Sequence, residues 1–201
     1  MTRGNPLERA LGVLEERGIA RSRDLERAGV SRTQLRRLLD RGLLERVGRG
    51  LYRSPEAPLT ERSDLAQAAR LAPGGVVCLL SALRFHDLTT QNPFEVWLAI
   101  DRKAWRPRAK HPPLRFVYLS GAALRDGVEE HDVGGVAVRV FGAAKTVADC
   151  FKFRNKIGTD VAVEALRAYR RAHPKKLEDV WRFAEVDRVT RVIRPYLETV
   201  G

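Results

Sequence analysis

The chain has only two cysteines, Cys78 and Cys150, and they lie far apart. That excludes a disulfide framework and any C-x-x-C redox or zinc motif. Each sits in an apolar helical context, so both read as reduced core thiols of a cytosolic protein. Long apolar runs are also missing. No stretch of about 18 such residues exists, and no basic segment followed by an apolar one opens the chain. The expectation is a soluble, cytoplasmic protein with no membrane partner. Catalytic signatures are absent as well: no H-E-x-x-H, no G-x-S-x-G and no P-loop. The four histidines, His86, His111, His131 and His173, are scattered, so no metal site and no cofactor are expected, and no enzymatic activity. There is no internal repeat and no low-complexity tract.

Lysine is missing before Lys103, so every cation in the front of the chain except the N-terminus is arginine. Residues 1–54 hold thirteen arginines against seven acidic residues, while the remaining 147 residues hold twenty-four basic and eighteen acidic ones. Both parts carry a surplus of six, but the front part carries it in about a third of the length. A net charge of +12 distributed in this way suggests a polyanionic partner for the front of the chain.

The front stretch, Ser22 to Arg53, predicts two short helices, a tight turn and a two-stranded ribbon, the pattern of a winged helix-turn-helix. Ser22 is the candidate N-cap of the first helix, with Asp24 in its first turn. Gly29 can take the left-handed conformation that ends this helix, leaving Val30 to plug the core. Ser31 and Gln34 form a Ser-x-x-Gln capping box for the second helix. Leu35, Leu38 and Leu39 make its apolar side. Thr33, Arg37 and Asp40 then point away from the core, with Arg32 and Arg36 on one flank and Gln34 and Arg41 on the other. Leucines inward and arginines outward suit a helix in the major groove, where arginine meets phosphate or forks onto guanine. An arginine row is also what an ordinary solvated face looks like, and Gln34 reads equally as a cap or as a base contact. Gly48-Arg49-Gly50 is the expected hairpin tip, close enough to DNA for Arg49 to be the wing contact. The candidate DNA-binding set is Arg23, Ser31, Arg32, Thr33, Gln34, Arg36, Arg37, Arg49 and Arg53. Thr33, Arg36 and Arg37 are expected nearest the bases and Arg32 nearest phosphate.

In front of this stretch, residues 5–17 predict a helix striped by Leu7, Leu11 and Leu14, and Ile19-Ala20 a short strand joining the wing. Behind it, Ser54-Pro55-Glu56-Ala57-Pro58 predicts a stiff linker. The expected domains are therefore 1–54, winged helix-turn-helix, and 55–201, an α+β domain with a small, mostly antiparallel sheet and a helical tail. Helices are predicted for 60–71, 76–88, 143–154, 160–172, 175–184 and 187–197. Strands are predicted for 94–100, 114–119, 129–133 and 136–141. His86 reads as a structural hydrogen-bonder. The loop 101–113 carries Lys103, Arg106, Arg108 and Lys110 around Trp105. It can stack on nucleic acid, or the tryptophan can pin the loop to its own domain. In the helix from Ala143, Lys145, Asp149, Lys152 and Lys156 recur at helical spacing opposite Ala144, Val147, Ala148 and Phe151. That is a salt-bridged solvent face or a phosphate-contacting one.

The front module, the segment KTVADCFKFRNKIG from Lys145 to Gly158 with its continuation through Leu166, and the Ser81-Ala82-Leu83 helix together resemble the AbiEi family of antitoxins. The K-T-x-x-D-x-x-x-x-R-N-K-x-G run is the more specific part. The resemblance implies a two-gene operon shared with a nucleotidyltransferase-type toxin in an abortive phage-infection system. It implies a winged domain that binds inverted repeats in double-stranded DNA at its own promoter and represses the operon. It further implies a C-terminal domain that opposes the toxin in a type IV manner, without a stable complex, and that assists cooperative DNA binding by a chain monomeric in solution. By motif match, Lys145, Asp149, Lys152, Arg154, Asn155 and Lys156 belong to the antitoxin face. Two rival readings stand beside this one: a ligand-responsive winged-helix transcription factor, and a winged-helix-fused nuclease using Glu95, Asp101 and Lys103.

Overall fold

A computed structural model describes residues 5–17, 19–48, 50–56, 61–107 and 112–200. The chain forms two compact units. The first is Met1–Pro73 with His131–Val138, and the second is Gly74–Glu130 with Arg139–Gly201. The expected boundary at 54/55 falls inside the first unit, because the helix Glu61–Leu71 is grouped with the front module.

The first unit begins with α1 (Pro6–Arg17), β1 (Ala20–Arg21), α2 (Ser22–Arg27) and α3 (Arg32–Asp40). These are followed by β2 (Glu45–Gly48), β3 (Leu51–Arg53) and α4 (Glu61–Leu71). Ala10 and Leu14 of α1, Leu25, Val30, Leu35, Leu38, Leu44 and Tyr52 make one core, with Leu39 partly buried against it. α2 is capped at Arg21 rather than Ser22. Asp24 supplies the reason: its carboxylate accepts the Arg21 backbone N–H at 3.2 Å and so fixes the turn one residue earlier. Gly29 ends the helix at φ +84°. The strands form a three-stranded antiparallel sheet in the order β1-β3-β2, so the 19–20 segment does join the ribbon, as Ala20↔Tyr52 and Arg21↔Leu51. α4 packs against β2, and its Leu65, Ala66 and Ala68 are buried.

The second unit holds β4 (Val76–Val77), α5 (Leu79–Phe85), β5 (Val96–Ile100), β6 (Leu114–Tyr118) and α6 (Ala122–Arg125), with the outer parts of β7 (Val128–Val133) and β8 (Val136–Phe141), whose residues 131–138 are grouped with the first unit. A helical layer follows: α7 (Ala143–Lys152), α8 (Arg154–Ile157), α9 (Thr159–Ala172), α10 (Leu177–Val186) and α11 (Thr190–Val200). The sheet order is β6-β5-β4-β8-β7, and the sheet is mixed, which corrects the mostly antiparallel expectation. β5 pairs β6 in parallel from Val96↔Leu114 to Ile100↔Tyr118, and β4 pairs β8 in parallel. The 101–113 segment is the cause of the first, since a connection of a dozen residues can return the chain to start a parallel neighbour. The helix expected over 76–88 is instead a strand and a shorter helix. Val76 and Val77 are taken as a central strand, β4, between β5 and β8, where their β-branched side chains are buried. His86 accordingly hydrogen-bonds the Phe141 carbonyl at 2.8 Å.

α7 lies at the centre of this unit, against α5, α9 and α10. Val147, Ala148, Cys150 and Phe151 are fully buried, and so are Lys145, Thr146 and Asp149. α7 is a core helix on all sides. Among the described residues no helix is long and apolar enough to cross a membrane.

Candidate nucleic-acid interface

α3 is held rigidly enough to present a surface. Ser31 Oγ accepts the Gln34 backbone N–H at 3.3 Å, and Gln34 Oε1 accepts the Ser31 N–H at 2.9 Å. Leu35 and Leu38 anchor the helix from beneath. Thr33, Arg36 and Arg37 are exposed on the opposite side, as the 100° spacing requires. Arg23 of α2 is exposed too, with its Nε 3.9 Å from Asp24.

The other described candidates have partners of their own. Arg32 is exposed, but its Nε donates to Glu26 Oε1 at 2.8 Å, and this hydrogen bond holds the guanidinium above its usual range. Ser31 Oγ and the amide oxygen of Gln34 are engaged in the cap. Arg53 is largely buried and pairs with Glu45 across the β2–β3 ladder at 2.5 Å. Arg49 lies outside the described residues. Arg46 escapes a reading based on helix spacing because it stands on a strand. It is exposed, donates from Nε to the Gly48 carbonyl at 3.2 Å, and lines a groove of about 570 Å³ with Arg32, Arg36 and Asp40.

The 145–156 motif does not make the solvent face that its spacing suggests. Lys145 and Asp149 are sealed inside the second unit, where α7 packs against α5, α9, α10 and α11. Lys145 Nζ donates to Asp149 Oδ1 at 2.5 Å and to Asp187 Oδ1 and Oδ2 at 3.2 and 3.1 Å. It also sits 4.8 Å from the centre of the Phe141 ring. Lys152, half-buried, donates to Asp187 Oδ1 at 3.3 Å. Burial alone would lower the Lys145 ammonium, but Asp149 and Asp187 outweigh it and hold its pKa above the ordinary value. Burial pushes the Asp149 carboxyl well up, with the like charge of Asp187 adding to it and Lys145 opposing. Asp187 belongs to none of the expected site residues, and no local pattern marks it, since its partners are far away along the chain. The outer part of the motif is different. Arg154 donates to the Phe151 carbonyl at 2.9 Å, while Asn155 and Lys156 are exposed.

Elsewhere, Asp101 Oδ1 accepts the Lys103 N–H at 2.9 Å, and Glu95 pairs with Arg115 at 3.0 Å. These carboxylates serve as a turn cap and an ion-pair partner. Among the described residues no group of three or more His, Cys, Asp or Glu is placed to hold a metal. Both thiols are free and buried, and burial pushes each one's pKa well up.

A helix-turn-helix-like arrangement with an antiparallel ribbon, bearing exposed arginines on its second helix, has the form of a winged helix-turn-helix module. The family model for AbiEi antitoxin transcriptional regulators matches residues 11–55, from α1 through the ribbon. The resemblance read from the sequence is therefore matched over residues 11–55, and the 145–158 run lies outside the matched segment. No curated protein matches the chain.

Proposed function

We propose that this protein is a cytoplasmic autorepressor and type IV antitoxin. It binds inverted repeats in its own promoter and counteracts a nucleotidyltransferase-type toxin from the same operon without a stable complex. The observation that carries the reading is the exposed Thr33, Arg36 and Arg37 row on a helix pinned by Leu35, Leu38 and its capping box, within the segment that matches the AbiEi regulator family. Thr33, Arg36 and Arg37 face the bases. Arg23, Arg32 and Arg46 take phosphates, Arg32 by exchanging Glu26 for the backbone, and Arg49 completes the ribbon side, while Arg53, largely buried and paired with Glu45, braces the ribbon.

In the back unit, Lys145, Asp149 and Lys152 act as the internal brace of the antitoxin domain, and Arg154, Asn155 and Lys156 as its accessible edge. The deciding experiment is a footprint of the purified protein on its own upstream DNA, repeated with Arg36→Ala and Arg37→Ala. Protection of paired repeats, lost in both variants, is the expected result. Equal affinity for upstream and unrelated DNA overturns the repressor reading. Co-expression with the neighbouring gene product tests the antitoxin half. Growth rescue by the wild type that fails for Asn155→Ala with Lys156→Ala is expected, and rescue that survives removes this edge from the antitoxin role.

A further inference from the structure

Three arginines from different elements of the first unit gather beside the β2–β3 hairpin. Arg21 pairs with Leu51 in the β1–β3 ladder, so its side chain leaves the sheet on the Leu51 side, away from Ala20 and Tyr52, which belong to the front core. α4 stands on that side. A Cβ at Gly48 would lie 3.6 Å from Leu51 Cδ1 and 4.0 Å from Gln67 Cγ. One turn further along α4, Arg70 reaches the end of the hairpin. A Cβ at Gly50, where φ is +72°, would lie 3.8 Å from an Arg70 guanidinium nitrogen and 3.5 Å from Ser22 Oγ. Arg23, exposed in the first turn of α2, completes the set.

These cations repel one another. Burial and the like charges of Arg23 and Arg70 hold the Arg21 guanidinium below its usual range, although Asp24 and Asp132 act against them. Each of those acids is also tied to a backbone N–H: Asp24 to that of Arg21 at 3.2 Å, and Asp132 to that of Gly135 at 2.7 Å. An anion placed among the three guanidinium groups would relieve the repulsion. Guanidinium forks match phosphate oxygens in pairs. The arrangement favours a phosphate of a duplex, because the cluster adjoins the reading face. Ser22, beside Gly50, also lines the groove of Arg32, Arg36 and Arg46.

We propose that Arg70, with Arg21 and Arg23, holds a backbone phosphate of the duplex beside the hairpin, so that α4, which lies beyond the matched residues 11–55, is part of the DNA interface. The proposal deepens the repressor reading and rests on its choice of DNA as the partner. It is tested by fluorescence anisotropy of the full chain with a labelled duplex of its upstream DNA and a scrambled duplex of the same length, across a salt series. Calorimetric titration with inorganic pyrophosphate is run beside it. Arg70→Gln should weaken both duplexes by the same factor, roughly fivefold to tenfold near physiological salt, and make log K against log salt shallower by about one. Arg70→Lys keeps the positive charge and should restore most of that slope. The proposal fails if Arg70→Gln leaves affinity and slope on both duplexes as in the wild type, or if Arg70→Lys loses as much slope as Arg70→Gln. Saturable binding of pyrophosphate that Arg70→Gln abolishes, with duplex affinity unchanged, gives the cluster to a free anion instead. Equal wild-type affinity for the two duplexes ends the repressor reading and leaves this one standing, because a phosphate contact carries no sequence information. A wild type that binds neither duplex ends both.

Discussion

Lys145 of α7 reaches Asp187, at the end of α10, with Nζ 3.1 Å from Oδ2 and neither side chain exposed. The contact ties two helices that carry much of the second unit's core. Removing Asp187 would leave Lys145 in a dry interior with Asp149 alone, and would deprive Lys152 of its partner. Breaking a buried pair by deleting one partner costs about 3–5 kcal/mol, because the other charge stays buried. Asp187→Ala should therefore lose about that much in urea denaturation of the second unit, and Asp187→Asn less. A loss under about 1 kcal/mol, the range of a surface pair, would show that the network is dispensable.

The same network sets a pH dependence. The unfolded chain releases the Asp149 proton near its ordinary 3.8, and the folded chain holds it to a higher pH. The folded state therefore binds the proton more tightly. Its stabilising effect is complete below about pH 3.8 and is lost as pH rises through the elevated folded value. Lys145 is also shifted upward, from 10.5, so its contribution is complete at neutral pH and is lost as pH rises through its own folded value. Asp149→Asn keeps an oxygen for the Lys145 ammonium but cannot titrate. As pH rises above about 3.8, the urea midpoint of this variant should vary less with pH than that of the wild type. Parallel curves would assign the slope to other groups.

Gly127 is required for two separate reasons. Its φ of +73° is a conformation side chains rarely adopt. A Cβ there would also lie 2.8 Å from Phe183 and 2.9 Å from the Lys145 Cβ. Strain and overpacking together should make Gly127→Ala destabilising by roughly 2–4 kcal/mol in chemical denaturation. Gly12, whose Cβ would meet nothing within 4 Å, is the control, and Gly12→Ala in the interior of α1 should stabilise slightly.

The front unit was the more legible half because its signals are local. A capping box, a left-handed glycine and a leucine stripe each span four or five residues, and each recurs in the structure at Ser31–Gln34, Gly29 and Leu35–Leu38. The back unit depends on partners far apart in sequence. Val76 and Val77 look like the start of a helix until β5 and β8 are placed on either side of them. Lys145 and Asp149 at i, i+4 look like a surface pair, because the groups that enclose them, Asp187 and Phe141, lie elsewhere in the chain. Periodicity reports which residues share a helix face, and it does not report whether a further helix covers that face.

The capping box makes a separable prediction about Gln34. Its amide oxygen already accepts the Ser31 N–H at 2.9 Å, so it is not available for a two-pronged contact with adenine while the cap holds. Glutamate satisfies the same box. Gln34→Glu should keep the melting temperature and, if the residue serves only as a cap, change operator affinity uniformly across sequences. Ser31→Ala should cost about 1 kcal/mol of stability. A change in base preference with Gln34→Glu would restore the amide as a reader.

Arg37 and Arg32 should separate by the kind of contact each makes. Arg37 is exposed and lies opposite Leu35 and Leu38, so a fork onto guanine is geometrically open to it. Arg37→Ala should cost roughly 1–3 kcal/mol on the operator and little on random DNA. Arg32 must first give up Glu26 at 2.8 Å, and a backbone phosphate is the stronger acceptor. Arg32→Ala should therefore weaken operator and random DNA alike and shallow the salt dependence by about one phosphate. With about five phosphates engaged per module, log K should fall against log salt with a slope of about −4 to −5 in the wild type. Glu26→Gln supplies the converse test, because releasing Arg32 without removing it should strengthen binding to every sequence at low salt. If Glu26→Gln weakens binding instead, the Glu26–Arg32 pair is what positions α3, and Arg32 is not a phosphate contact.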